Sequence, residues 1–246
     1  RDQPRSRGLG DVYKRQIYED NDLLVLNKKA DISMHPGAGN KDRTLVNALI
    51  NYKKKLSNIN GDLRTGIVHR IDKHTSGLVV IAKNNFTHEN LSNQFSEHSI
   101  ERKYQTLVWG KLRPSNGRIE TLITRSSKNR QLMSVSLSKG KNSITNYKTL
   151  EIFEKETVPT FSLIECKLET GRTHQIRAQC EKINKNIAND KKYGCKDFNT
   201  RLKHSGIKRL GLHSSEISFL DLGNKINTFV ADYDDQFEKM LSYLNT

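Results

Sequence analysis

The chain has 246 residues and carries 42 Lys and Arg against 27 Asp and Glu, a formal net charge of +15. Its length suits one sizeable α/β or α+β domain, and its three widely spaced cysteines exclude a disulfide framework or a zinc cluster. No apolar run approaches the roughly 18 residues of a membrane-spanning helix, and the cysteine pattern favours a reducing compartment, so we expect a cytoplasmic protein without a membrane partner. We also expect a monomer. The positive charge predicts a polyanionic partner, and nucleic acid is the first candidate.

Residues 1–16 match nothing that follows them. They lack an initiator Met, contain five basic residues and show neither a helical nor a strand period. We interpret them as a foreign, disordered leader and assign residues 17–246 to one domain.

The domain begins with a predicted strand over residues 22–27, followed by a polar loop and a helix that Thr44 caps. In that helix, apolar residues recur with the spacing of one helical face: Leu45, Ala48, Leu49 and Tyr52.

A tight polar turn then leads into an apolar run, Leu78–Ile81, that offers no solvent face and must be a buried strand. Asp72 lies in this turn between cationic neighbours, Arg70 and Lys73 among them, which favour its ionised form. A carboxylate held in this way suits nucleophilic or electrostatic catalysis. From the residues alone, an ordinary turn residue that accepts main-chain N–H groups is an equal alternative.

A surface helix is predicted over residues 86–98, and alternation over residues 100–110 predicts a half-buried strand that contains Tyr104. A tyrosine in a strand is more often a core residue with a satisfied hydroxyl than a functional one. Four more strands follow without a helical pattern, so we predict a large antiparallel sheet. They are Gly117–Thr124, Gln131–Ser136, Thr145–Phe153 and Thr160–Glu169. Basic loops at 126–130 and 139–142 suit phosphates, although solvated turns explain each singly as well.

A later helix is predicted to begin at Thr173. Its N-terminus, together with Arg172, His174 and Arg177, gathers positive potential where a phosphate or carboxylate could bind. An exposed basic helix face explains this spacing equally well. The chain then closes with a strand at 226–231 and an amphipathic helix at 233–244.

Three segments resemble, in the same order, the signature of RluA-type RNA pseudouridine synthases. They are His69–Asp72 with Thr75–Leu78, Glu101–Tyr104, and Leu168–Arg177. The resemblance extends over about residues 17–246 and implies an α+β domain with a large mixed, mainly antiparallel sheet flanked by helices. It also implies an isomerase that converts uridine in RNA to pseudouridine without a metal or cofactor.

The resemblance assigns roles to individual residues. Asp72 is the implied nucleophile, Tyr104 the ring that stacks on the target base, and Arg177 the cation that pairs with Asp72. The implied and candidate RNA contacts are Arg70, Lys73, Arg172 and His174. Of these, Arg70 matches the side chain that occupies the space left by the flipped-out base.

The sequence departs from the family pattern at four positions. Lys29 and Asp31 stand where the family usually shows Pro and Gly, Gln179 replaces a usual His, and Asn189 replaces a Gly. We expect changed local contacts with retained function. The S4 RNA-binding module that the family often carries has no counterpart in this sequence, so RNA capture is expected to rest on the catalytic domain or on residues that the sequence does not include.

We therefore predict an RNA pseudouridine synthase that acts on specific uridines, in 23S ribosomal RNA or alternatively in tRNA. An inactive RNA-binding module is a second alternative, but it would not require Asp72, Tyr104 and Arg177 together. A glycosidase would need a second positioned carboxylate, which the motifs do not supply.

Overall fold

Residues 15–37, 43–50, 56–61, 64–202 and 208–245 are described by the computed structural model. The strands are β1 (Gln16–Glu19), β2 (Leu23–Lys28), β3 (Ser76–Ala82), β4 (Glu101–Trp109), β5 (Asn116–Arg125), β6 (Met133–Ser136), β7 (Lys141–Phe153), β8 (Phe161–Leu168), β9 (Leu212–Leu220) and β10 (Ile226–Val230). The helices are α1 (Leu45–Ile50), α2 (Asn85–Ser96), α3 (Gln175–Lys182), α4 (Lys196–Arg201) and α5 (Asp235–Asn245). Across these ranges, no helix is long and apolar enough to cross a bilayer.

The ten strands form one sheet in the order β1-β2-β3-β9-β4-β8-β7-β5-β6, and β10 pairs with β9. The antiparallel pairs include β1–β2, β2–β3, β4–β8, β5–β6, β5–β7, β7–β8 and β9–β10. The predicted α+β class with a large mixed, mainly antiparallel sheet is confirmed. The chain packs as two compact units, which we call unit 1 (Arg1–Ile100 and Ser214–Asp232) and unit 2 (Glu101–His213 and Tyr233–Thr246).

The core of unit 1 forms where β2, β3 and β9 pack against α2. Its buried members include Leu23, Val25, Leu78, Val80, Leu91, Ile217 and Phe219. All seven residues of β3 are buried, so the prediction of a strand without a solvent face is confirmed. Because β3 directly follows the Asp72 turn, this burial fixes one end of that turn.

Unit 2 has its main core between β4, β8 and α5. Its buried members include Leu107, Trp109, Phe161, Leu163, Phe237, Met240 and Leu244. A smaller cluster of Ile123, Ala178 and Tyr193 lies between β5 and α3. The smaller cluster seats the helix that carries Arg177 on the sheet.

The start of α1 has the predicted cap, whereas the start of α3 does not. Thr44 Oγ1 accepts the N–H of Asn47 (3.3 Å), and Asn47 Oδ1 accepts the N–H of Thr44 (3.0 Å). The prediction that Thr173 caps α3 is wrong, because His174 is the N-cap residue, with φ 54° and no capping side-chain bond. The side chain of Gln175 turns back instead, and its Oε1 accepts the N–H of Arg172 (3.0 Å).

The predicted leader ends earlier than residue 16. Gln16 begins β1, and the carbonyl of Arg15 accepts the N–H of Asn27 (2.8 Å). Both residues therefore belong to the fold. Residues 1–14 and Tyr52, which the sequence assigned to the leader and to α1, lie outside the described residues.

Gly77→Ala should destabilise the protein by about 3 kcal/mol, as a severe core substitution does. Gly77 has φ 110°, and a Cβ there would lie 2.1 Å from the carbonyl oxygen of Ser214 in β9. Urea unfolding measures the loss. Gly37→Ala is the matched control, since a Cβ at Gly37 meets nothing within 4 Å. Equal stability of the two variants would contradict the prediction.

Candidate active site

Asp72 lies in unit 1 on the turn that leads into β3, and its side chain is half-buried. Its main-chain carbonyl accepts the N–H of Thr75 at 3.1 Å. Ile71 before it and Thr75 after it are both buried. The main chain on either side of Asp72 is therefore held by the core, while Asp72 itself is only half-buried.

The buried Lys28 is hydrogen-bonded to this turn. Lys28 was not predicted as a site residue from the sequence. Its side chain is buried, and Nζ donates to the carbonyl oxygens of Lys29 (2.8 Å), Ile32 (2.9 Å) and Lys73 (3.2 Å). An ammonium group has three donors, and each of them meets a carbonyl here. The bond to Lys73 ties the residue directly after Asp72 to the end of β2.

Two histidines of the motif also have contacts within unit 1. His69 Nε2 accepts the N–H of Val80 at 2.9 Å, so the neutral ring carries its proton on Nδ1, and the ring stacks on Phe95 with 4.8 Å between centroids. His74 Nδ1 lies 2.6 Å from Asp31 Oδ1. Thus His69 joins the approach to the turn with the middle of β3.

The surface around the turn is cationic. Arg70 and Lys73, the predicted RNA contacts of unit 1, are both exposed, as is Arg64. Burial and then the charges of Arg70 and Arg64 lower the pKa of His35 below 6.5. At pH 7 His35 is therefore mainly neutral, and the positive charge of this group comes from Arg64, Arg70 and Lys73.

Tyr104 lies in β4 opposite Cys166 of β8 and is 8% exposed. Burial lowers the pKa of Arg102, two residues earlier, and its interaction with Tyr104 offsets part of this change. The Arg102 guanidinium lies against Gly171, where a Cβ would be 2.3 Å from Nη1. Gly171 therefore lets the segment before α3 approach the strand that carries Tyr104.

Arg177 forms a buried ion pair with Asp190, whose side chains are 4% and 0% exposed. Nε donates to Oδ2 at 2.7 Å and Nη2 to Oδ1 at 2.8 Å, which is the bidentate geometry of strong arginine–carboxylate pairs. Burial raises the pKa of Asp190. The hydrogen bonds and charge of Arg177 and the N–H groups of Lys192 and Tyr193 together outweigh burial, so the pKa lies below its usual 3.8. Asp190 was not predicted as a site residue.

Arg172 and His174 bond to protein atoms within unit 2. Arg172 Nε donates to the carbonyl of Asn142 (3.2 Å), and His174 Nδ1 lies 2.7 Å from the hydroxyl of Tyr193. Both side chains are half-buried. Their contacts with RNA stay predictions.

Gln179 stands where the family usually has His, and it anchors α3 to the sheet. Its Nε2 donates to the carbonyl of Ser143 (2.9 Å) and to Thr121 Oγ1 (3.0 Å), and its Oε1 accepts from Thr145 Oγ1 (2.6 Å). Gln175, one turn earlier, donates from Nε2 to Thr145 Oγ1 (2.9 Å). These contacts attach the buried face of α3 to strands β5 and β7.

Two of the other departures keep a backbone conformation that glycine adopts easily. Asp31 has φ 69° and Asn189 has φ 56°, both in the left-handed region. Asp and Asn are the residues other than Gly that tolerate this region best. The loops thus retain the turn that a Gly would allow.

The described residues form two groups of site residues, one in each unit. Asp72, Arg70 and Lys73 share the turn of unit 1, and Tyr104, Arg172, His174 and Arg177 belong to unit 2. The contact between Arg177 and Asp72 stays a prediction.

This chain belongs to the RNA pseudouridylate synthase family, whose model matches residues 22–182. It is 45% identical over 200 residues to the uncharacterized RNA pseudouridine synthase YlyB of Bacillus subtilis, covering 80% of this chain and 63% of that protein. It is 43% identical over 215 residues to ribosomal large subunit pseudouridine synthase D of Zymomonas mobilis, covering 85% and 66%. The chain thus spans about two thirds or less of these relatives, as their 63% and 66% coverage states.

Two solved structures share the fold. Human RNA pseudouridylate synthase domain containing 1 has a TM-score of 0.73 and 23% identity, covering 89% of this chain and 83% of that one. Human RNA pseudouridylate synthase domain containing 4 also has a TM-score of 0.73, with 19% identity, covering 98% and 96%. The predicted family and fold are confirmed.

Lys28→Met should lower the free energy of unfolding by about 3 kcal/mol, because it leaves buried carbonyls without their donor. Lys29→Met makes the same change of charge at the neighbouring, exposed residue, and its effect should stay within about 0.5 kcal/mol. Urea unfolding of both variants measures the difference. Similar losses in the two variants would show that the charge, not the three hydrogen bonds, matters.

Arg177→Met should destabilise the protein by about 3 to 5 kcal/mol, because Asp190 then stays buried without its cation. Arg118→Met is the control. Its side chain is 47% exposed in its pair with Glu169, so the loss should be about 0 to 1 kcal/mol. Thermal and urea unfolding compare the two, and a loss at Arg177 as small as that at Arg118 would refute the prediction.

Proposed function

We propose that this protein is an RNA pseudouridine synthase that isomerises specific uridines of large-subunit ribosomal RNA, with Asp72 as the nucleophile. The reaction breaks the C1′–N1 glycosidic bond, turns the uracil and joins C1′ to C5. C5 loses its proton and N1 gains one, so no oxidant, reductant or metal is needed. The protein must supply a nucleophile, a surface for the detached base and a site that excludes competing reactions.

The observation that carries this proposal is the anchoring of the Asp72 turn within a member of this family. The buried Lys28, the buried β3 and the Thr75 N–H bond fix the main chain around Asp72. Because the carboxylate is already held in place, little conformational entropy is lost when the reaction begins. The relatives named as RNA pseudouridine synthases support the same activity.

Tyr104 and Arg177 complete the proposed chemistry. The Tyr104 ring would stack on the uracil, an interaction worth about 1 to 3 kcal/mol per base. Arg177 would place positive charge beside the Asp72 carboxylate. Arg70 would fill the space of the extruded uridine.

A basic hairpin of unit 2 supports RNA as the substrate. It comprises residues 125–141, which join β5, β6 and the start of β7 and contain no Asp or Glu. Five exposed cations lie on it: Arg125, Lys128, Arg130, Lys139 and Lys141. Such a run of cations attracts phosphates. Several relatives are named ribosomal large subunit pseudouridine synthase D, which favours ribosomal RNA over tRNA.

We also propose a monomer that works in the cytoplasm. Cys166 and Cys180 are buried free thiols, and Cys195 is a third free cysteine. Free thiols persist in reducing compartments.

Asp72→Asn should abolish pseudouridine formation, because the amide keeps the shape of the side chain but is not a nucleophile. RNA binding should persist or strengthen, since a negative charge is removed beside Arg70 and Lys73. Release of the C5 proton from a ribosomal RNA transcript, together with a binding assay, measures both effects. Asp197→Asn, at an exposed residue of α4, is the control.

An Asp72→Asn protein that released the proton at the parental rate would contradict the proposed role of Asp72 as nucleophile. A parental protein that acts on tRNA but not on ribosomal RNA would support the proposed reaction and contradict the proposed substrate.

The double substitution of two hairpin cations, Lys128→Gln with Arg130→Gln, should weaken RNA binding. The slope of the logarithm of the binding constant against the logarithm of the salt concentration should also become less steep, by about 0.7 to 0.9 per lost phosphate contact. The control is Lys225→Gln with Lys239→Gln, which removes the same charge from exposed positions elsewhere. Affinity is measured at several salt concentrations. If both pairs change the slope equally, net charge rather than the hairpin governs binding.

A further inference from the structure

Tyr193 is a buried residue that the proposed reaction leaves without a role. It is 3% exposed and its ring faces the Arg177 guanidinium, with 4.9 Å between the ring centroid and Cζ. Its N–H donates to Asp190 Oδ1 (3.1 Å), which also accepts from Arg177 Nη2 (2.8 Å). Tyr193 therefore contacts both members of the buried ion pair.

The hydroxyl of Tyr193 joins two further elements. It accepts the N–H of Met133, the first residue of β6, at 2.7 Å and lies 2.7 Å from His174 Nδ1. In the His174 tautomer that carries its proton on Nε2, Nδ1 accepts the proton of this hydroxyl. His174 directly precedes α3, the helix that carries Arg177. The hydroxyl thus ties the start of that helix to the sheet.

These contacts restrict the Arg177 side chain in two ways. The bidentate bond to Asp190 fixes the plane of the guanidinium, and the Tyr193 ring covers one of its faces. Nη1 then lies on the side of the guanidinium away from the Asp190 carboxylate. Both the direction and the tilt of the cation are set before substrate binds.

We propose that Tyr193 is a positioning residue for Arg177 and that His174 acts with it by accepting its hydroxyl proton. This inference rests on the proposed function, because it takes Arg177 to act at the reacting uridine. It gives His174, predicted as an RNA contact, a role in orienting α3. Misplacing the cation should therefore slow the chemical step more than it weakens RNA binding.

The test measures kcat and KM for release of tritium from C5-labelled uridine in a ribosomal RNA transcript. Tyr193→Leu removes the ring and the hydroxyl, and kcat should fall about 100-fold, as for a reacting group displaced by about 1 Å. KM should stay within about threefold, since no RNA contact is lost. Tyr193→Phe keeps the ring and should give an intermediate kcat. Tyr147→Phe, which loses a bond to the Pro114 carbonyl in the same unit, should keep the parental kcat.

Rescue by a conservative substitution separates positioning from RNA contact at His174. In His174→Asn, Oδ1 takes about the place of Nδ1 and can accept the Tyr193 proton, and Asn tolerates the positive φ. Its kcat should stay within about threefold of the parental value. His174→Ala has no acceptor and should behave like Tyr193→Phe.

The outcomes are distinct. An active parental protein whose folded Tyr193→Leu variant keeps its kcat, or changes KM alone, overturns this inference and leaves the proposed function standing. A parental protein that makes pseudouridine in neither ribosomal RNA nor tRNA overturns both. If Tyr193→Leu does not fold, Tyr193→Phe and the two His174 variants decide by the same criterion.

Discussion

The Lys28 ammonium, buried and hydrogen-bonded to three main-chain carbonyls, connects the end of β2 to the residue that follows Asp72. Carbonyl dipoles solvate the cation in place of water, which is what makes its burial tolerable. The buried ammonium thereby ties the Asp72 turn to the loop that follows β2.

Unit 2 also buries a cation, Arg177, against a carboxylate. Arg177 has a full counter-ion in Asp190, and the backbone N–H groups of Lys192 and Tyr193 bind the same carboxylate. A planar guanidinium suits this arrangement because its donors match a carboxylate in pairs, which an ammonium cannot do. The planar side chain of Arg177 is thus matched to the carboxylate with which it is buried.

The parts of the fold that depend on local pattern could be predicted from the sequence. Leu78–Ile81 had to be buried because no position in it is polar, and Thr44 is a residue type that caps helices. His174, by contrast, combines a left-handed conformation with a tertiary contact to Tyr193, and neither can be read from the local sequence, so the cap of α3 was misplaced.

The supporting residues of the site were missed for a related reason. A lysine at the end of a strand ordinarily reaches solvent, and only the path of the loop through Ile32 reveals that Lys28 does not. Asp190 lies 13 residues after Arg177, beyond any helical spacing. The nucleophile itself was found through motif resemblance, because the turn residues alone left an equal alternative open.

Unit 1 is built from two segments that lie far apart in the chain, and this matters during translation. Its final strands, β9 from Ser214 onward and β10, come from a part of the chain made after all of residues 101–213. Domains generally fold as the chain emerges, N-terminal parts first. Gly77 thus meets Ser214, its close main-chain neighbour, only after residues 101–213 have been translated. The nascent turn of Asp72 therefore leaves the ribosome long before the strand that closes its unit, and a truncated translation product lacks that strand altogether.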